Sequence, residues 1–187
     1  MNKELLDKLN EIPKRITSKD FLENKGLGND IGFYIFDYPA EKELEVRRFV
    51  ADMITNLSKK DTNIACVNLF EEILGYLSDR NFKEKAFEMQ KVKGDDALLK
   101  ALSGPLNPTR FTDYLASKVG TPDVIILTGI GSAWPILRAH EILNNLQSKV
   151  GQVPLVLFYP GEYDKMSLKL FGRVKSNNYY RAFKLVV

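Results

Sequence analysis

The sequence has one cysteine, one histidine and one tryptophan in 187 residues. A single cysteine excludes an internal disulfide, and one cysteine with one histidine cannot supply a tetrahedral zinc site from within the chain. Cys66 lies in the apolar run Ile64-Ala-Cys-Val67, which reads as a buried and inert thiol. No stretch approaches the roughly 18 apolar residues of a membrane span, and the N-terminus, Met1-Asn-Lys-Glu-Leu5, opens an amphipathic charged helix where a signal peptide would be apolar, so a cytoplasmic protein with no membrane partner is expected. No G-x-x-x-x-G-K-[ST] string occurs, so the backbone cradle and phosphate-reaching lysine of a P-loop are missing. The dinucleotide fingerprint G-x-G-x-x-G is begun by Gly129 and Gly131 and broken by Trp134. These absences leave no complete catalytic motif and no cofactor expectation.

The composition, 44% hydrophobic and 27% charged, suits one globular domain over 1–187. A first helix from Lys3 to Ile12 is expected to stop before Pro13, and a short second one from Ser18 to end at Gly26-Leu-Gly28. Gly32-Phe-Tyr-Ile-Phe36 reads as a strand. The helix after it carries Val46, Phe49, Val50, Met53, Ile54 and Leu57 on one stripe, and Asn63 to Asn68 forms the second strand. Leu69 to Thr121 exceeds one crossover and reads as a helical insert, with helices at Phe70 to Leu77, Phe82 to Lys91 and Asp95 to Leu102 and a fourth capped by Asn107-Pro108. Val124 to Leu127 and Val153 to Tyr159 are continuous apolar runs of the kind found in parallel strands covered on both faces, with a helix from Trp134 to Gln147 between them. Ser167 to Phe171 and Tyr180 to Val187 are expected as two further strands joined around Ser176-Asn-Asn178. The fold class is therefore α/β: a mostly parallel sheet in a Rossmann-like or P-loop-like three-layer arrangement without the phosphate-binding motif, carrying a helical insert.

In such a sheet ligands gather beyond the carboxyl ends of the strands. That selects Asp37, Thr128, Gly129, Gly131, Ser132, Glu162 and Asp164 as a candidate crevice. Side by side, Asp37, Glu162 and Asp164 would supply three carboxylates fit for a hard cation. The structural reading of the same residues is that Asp37 caps the next helix, Thr128 bonds the glycine turn, and Glu162 and Asp164 are solvated; it is the reading adopted, with no metal assigned. His140 is expected to be half-buried beside the stripe Ile136, Ala139, Leu143 and Leu146, with Glu141 turned away from it around the helix, and Arg138 to pair with Glu141 in preference to gripping a ligand. Asn144 and Asn145 are candidates for anchoring their helix to a neighbour.

The net charge of +3 conceals an uneven distribution, because Lys165, Lys169, Arg173, Lys175, Arg181 and Lys184 lie in a tail without any acid, interleaved with Phe171, Tyr179, Tyr180 and Phe183. A charge-protected sheet edge accounts for this pattern. The alternative is a nucleic-acid surface using Lys169, Arg173, Lys175 and Arg181.

Gly26-Leu-Gly-Asn29 with Gly32-Phe-Tyr-Ile-Phe-Asp-Tyr-Pro39, then Leu127-Thr-Gly-Ile-Gly131, Leu137-Arg-Ala-His140, Leu143-Asn-Asn-Leu-Gln147, Phe158-Tyr-Pro-Gly-Glu-Tyr-Asp164, Leu170-Phe-Gly172 and Asn178-Tyr-Tyr-Arg-Ala-Phe183 together resemble the BrxB family of the BREX bacteriophage-exclusion systems. The resemblance runs from about Leu22 to the C-terminus. It implies an accessory role in phage defence beside a methyltransferase, an alkaline-phosphatase-like PglZ protein and a large ATPase, with PglZ the expected partner and no turnover of its own. The competing functional expectation is a degenerate nucleotide-binding or DNA-associated domain using the glycine turn or the basic tail.

Overall fold

A computed structural model describes residues 3–24, 32–59, 62–176 and 182–186. In chain order the elements are α1 (Lys3–Ile16), α2 (Lys19–Leu22), β1 (Phe33–Tyr38), a 3-10 turn (Ala40–Lys42), α3 (Glu43–Leu57), β2 (Ile64–Asn68), α4 (Leu69–Ser78), α5 (Lys83–Lys93), α6 (Asp95–Leu102), α7 (Pro108–Val119), β3 (Val124–Thr128), α8 (Ile130–Ala133), α9 (Ala139–Val150), β4 (Leu155–Tyr163), β5 (Leu168–Leu170), β6 (Val174–Lys175) and β7 (Phe183–Lys184).

The sheet runs β2-β3-β4-β1-β7 with every neighbouring pair parallel, and β5 and β6 extend the far end of β4 as antiparallel strands. Alternation of side chains along each strand sends one set to each face. Leu155, Leu157, Ile125, Leu127 and Ile35 pack under α4, α7 and α9. Val156, Phe158, Val124, Ile126 and Phe36 pack under α1, α2 and α3. Continuous apolar runs were the visible sign of this double covering, and a three-layer α/β sandwich is what they form.

The insert contributes α4 to α7. Leu69, Ile73, Tyr76 and Leu77 of α4 and Phe111 and Leu115 of α7 enter the core, whereas α5 buries none of its residues. Asn68 and Asn107 cap α4 and α7, each side chain accepting two backbone N–H groups.

Several boundaries differ from expectation. The first helix does not stop at Pro13 but continues to Ile16, since burial of Ile12 and Ile16 outweighs the one backbone bond proline forgoes. α2 ends at Leu22, and Gly26 and Gly28 lie outside the described residues. The helix expected from Trp134 to Gln147 begins only at Ala139, as α9; residues 134–138, which contain the cis Trp134-Pro135 bond, separate it from the short α8 that ends at Ala133. The two C-terminal segments do not pair with each other: β5 joins β4 and β6, while β7 joins β1 at the opposite side of β4. Cys66 is exposed, because β2 is the edge of the sheet. Desolvation of the sulfur by its neighbours, followed by the charge of Glu71, pushes its pKa up to about 11, which disfavours the thiolate. Among the described residues no helix is long and apolar enough to cross a membrane.

Candidate functional site

The carboxyl ends of β1, β3 and β4 lie together, and the antiparallel β4–β5–β6 extension folds over them. The glycine turn after β3 is occupied by the protein's own side chains. Gly129 has φ +73°, and a Cβ there would stand 2.1 Å from Asn68 Oδ1. That oxygen accepts the N–H groups of Phe70 (3.1 Å) and Glu71 (3.4 Å), while Asn68 Nδ2 donates to Glu71 Oε1 at 2.9 Å. Glycine at 129 is thus the condition for capping α4. At Gly131 a Cβ would lie 2.8 Å from the ring of Phe171 and 3.2 Å from Pro160, so the second glycine admits an aromatic from the β5–β6 turn.

The candidate carboxylates diverge. Asp37, which falls inside β1 and not beyond it, is half-buried; its Oδ2 accepts both the backbone N–H of Tyr163 and the ammonium of Lys184, each at 3.0 Å, and so ties β1 to β4 and β7. Asp37 therefore does not cap the following helix. Glu162 is exposed and lies 3.6 Å from Lys169 Nζ on the paired strand. Asp164 is exposed and folds its carboxylate into its own turn, accepting Met166 N–H (2.9 Å), Ser167 N–H (2.6 Å) and Ser167 Oγ (2.9 Å). Asp37 and Glu162 share a shallow cleft of about 410 Å³ with Glu41, Phe171 and Gly172, but Asp164, Thr128 and Ser132 do not line it. Among the described residues no group of three or more histidine, cysteine or acidic side chains could hold a metal ion. Thr128 Oγ1 donates to the Val67 carbonyl across the β2–β3 pair at 3.4 Å.

The backbone bonds from Ser167 and Met166 hold the Asp164 carboxyl below its usual range, with the nearby Lys175 charge a smaller cause. A depressed carboxylate contributes stability above its unfolded pKa and loses it as pH falls through the folded value. Asp164→Ala is expected to destabilise the fold relative to the parent at neutral pH, with the difference vanishing in acid below both values; denaturant titrations of the two chains across that range measure it.

One network was not anticipated. Tyr38 O–H donates to Glu43 Oε2 (2.5 Å), Arg47 Nε donates to Glu43 Oε1 (2.6 Å), and Arg47 Nη2 donates to Ser132 Oγ (2.8 Å). It fastens the end of β1 and the start of α3 to α8. Burial, then the Glu43 charge, raises the Tyr38 phenol far above its ordinary range, so it is a permanent donor. The i, i+4 spacing of Glu43 and Arg47 was the available signal; the reach to Ser132, 85 residues on, had none.

On the other side of the Phe171 ring, a second cleft of about 450 Å³ opens between α8–α9 and β5–β6. His140 is half-buried there, as expected, and burial above all holds its pKa below the ordinary imidazole value. Its Nε2 is 3.9 Å from Glu141, so Glu141 leans toward His140 and not toward Arg138. Adjacent residues diverge in a helix interior, but these lie in the first turn of α9, where side chains have more freedom. Asn145, half-buried, donates to Glu141 C=O (2.7 Å) and accepts from Thr109 Oγ1 (3.4 Å), anchoring α9 to α7; Asn144 is exposed.

The basic tail is divided. Lys184 is taken by Asp37 and Lys169 by Glu162, whereas Arg173 and Lys175 are exposed on the extension. Arg181, Tyr179 and Tyr180 lie outside the described residues.

Comparison with known proteins adds the family. The family model described as BREX protein BrxB matches residues 65–185. A curated relative, BREX protein BrxB of Escherichia coli O9:H4 (strain HS), is 43% identical over 181 residues, covering 96% of this chain and 90% of its own. Another, BREX protein BrxB of Bacillus cereus (strain H3081.97), is 43% identical over 185 residues, covering 96% of each chain. No solved structure matches the chain. A family match that takes in the helical insert, with relatives alike along almost their whole length, places this chain in the BrxB family, a component of the BREX bacteriophage-exclusion system.

Proposed function

We propose that the chain is a non-catalytic, cytoplasmic adaptor of its BREX system that docks on a partner such as the PglZ phosphatase-like protein. The observation that carries this reading is the use of the strand-end residues: Gly129 and Gly131 make room for Asn68 and Phe171, and Asp37, Glu162 and Asp164 each bind a different intramolecular partner. An α/β enzyme keeps such groups convergent on its substrate. Here they hold the sheet and its extension together, which favours work through a surface.

Light scattering after size-exclusion chromatography, on this protein mixed with the PglZ protein of its own system, tests the docking. One species of defined stoichiometry is expected; two separate peaks would overturn PglZ as the partner. Hydrolysis of nucleotide or nucleic acid by the purified chain, abolished by Glu162→Ala, would overturn the non-catalytic part independently.

A further inference from the structure

The Trp134 and Phe171 rings meet edge to face at 6.3 Å, and they separate two clefts of opposite character. On the Phe171 side the charged lining is acidic: Asp37, Glu41 and Glu162. On the Trp134 side the lining carries Arg138, His140 and Lys175 and, among the described residues, no acid. Tyr159 and Ser176 add hydroxyls to this second cleft, and Leu137 and Leu170, both buried, supply apolar wall. Arg138 forms no ion pair among the described residues. The N-terminus of α9, with Arg138 immediately before it and His140 in its first turn, adds the positive end of a helix dipole to these side-chain charges.

A cleft of about 450 Å³ is of small-molecule size. Arg138 and Lys175, both lining the cleft, suit an anion, Arg138 able to engage two oxygens and Lys175 acting as a point charge. Trp134 is 40% exposed and so offers ring surface on which a planar group can stack. We propose that this cleft is a binding site for a small phosphate-bearing aromatic molecule of the mononucleotide class, with the ring against Trp134 and the phosphate between Arg138 and Lys175. The site touches the glycine turn only through Ile130 and takes its charges from Arg138 and Lys175, so a missing P-loop does not bear on it. It adds a ligand to the adaptor reading and stands independently of PglZ docking.

Trp134 is the chain's single tryptophan, so its emission reports this cleft alone. The probe is adenosine 5′-monophosphate, with inorganic phosphate and uncharged adenosine as its parts. A saturable change in emission with the monophosphate, weaker responses to both parts, and a rise in melting temperature are expected. In the double variant Arg138→Ala with Lys175→Ala, shown folded by circular dichroism, Kd should rise on the order of tenfold or more. No saturable change at millimolar monophosphate, or an unchanged Kd in the double variant, would overturn the site.

Discussion

Gly161→Ala should lower the stability of this protein by about 3 kcal/mol, near the upper end for inserting an atom into packed structure. The position lies within β4, paired with Leu170 of β5, and a Cβ there would stand 2.2 Å from the Lys169 carbonyl, 3.0 Å from the Phe171 nitrogen and 3.0 Å from the Tyr159 ring. Two of these three neighbours are backbone, so no side-chain rotation relieves the contact. The β4–β5 pair has to separate, and with it go the bond from Phe171 N–H to the Pro160 carbonyl at 2.8 Å and the seat of Phe171 over Gly131. For a chain of this size the loss corresponds to a fall in melting temperature of roughly 10 °C. The control is Gly104→Ala, where nothing lies within 4 Å and φ is not positive; it should stay within about 0.5 kcal/mol of the parent. Parallel thermal and denaturant melts compare them. Equal stability of the two variants would mean that the β4–β5 extension is not packed as described.

Two other glycines separate what the sequence discloses from what it conceals. Gly129 and Gly131 announce themselves by following a buried strand, and the turn is there. Their purpose was not readable, because a glycine that admits a phosphate and a glycine that admits Phe171 are the same letter. The occupant is 40 residues further on, and only the antiparallel return of β5 brings it back. Strand runs, the stripe on α3 and the cap Asn107 were legible because period and cap chemistry are local. Asp37 was placed correctly near a strand end but given the wrong task, since its partners Tyr163 and Lys184 are 126 and 147 residues away. Pairing of the tail failed for a related reason: β5 and β7 are close in sequence, but β7 completes the parallel sheet beside β1 and β5 hangs from β4. The opposition of an acidic and a basic cleft across two rings has no counterpart in any short window of the chain.

Phe111→Ala is expected to destabilise the protein by about 4 kcal/mol, the usual range for removing a fully buried aromatic ring. The side chain is 0% exposed; it meets the Tyr76 ring edge-on at 5.5 Å and lies 6.1 Å from Tyr114. More tellingly, Phe111 belongs to the same continuous cluster as Ile125, Leu127 and Leu157 of the central strands. The loss should therefore appear in a single cooperative transition with an unchanged denaturant slope, because α7 and the sheet share one core. A variant that melts in two steps, the insert first, would show instead that the insert folds as its own unit. The comparison substitution is Phe87→Ala on α5, where the ring is 52% exposed on a helix with no buried residue. Its effect on stability should be within about 0.5 kcal/mol. The difference between the two phenylalanines, only 24 positions apart, divides the insert into an inner part that the sheet requires and an outer helix that it does not. A partner can therefore engage α5 without disturbing the core.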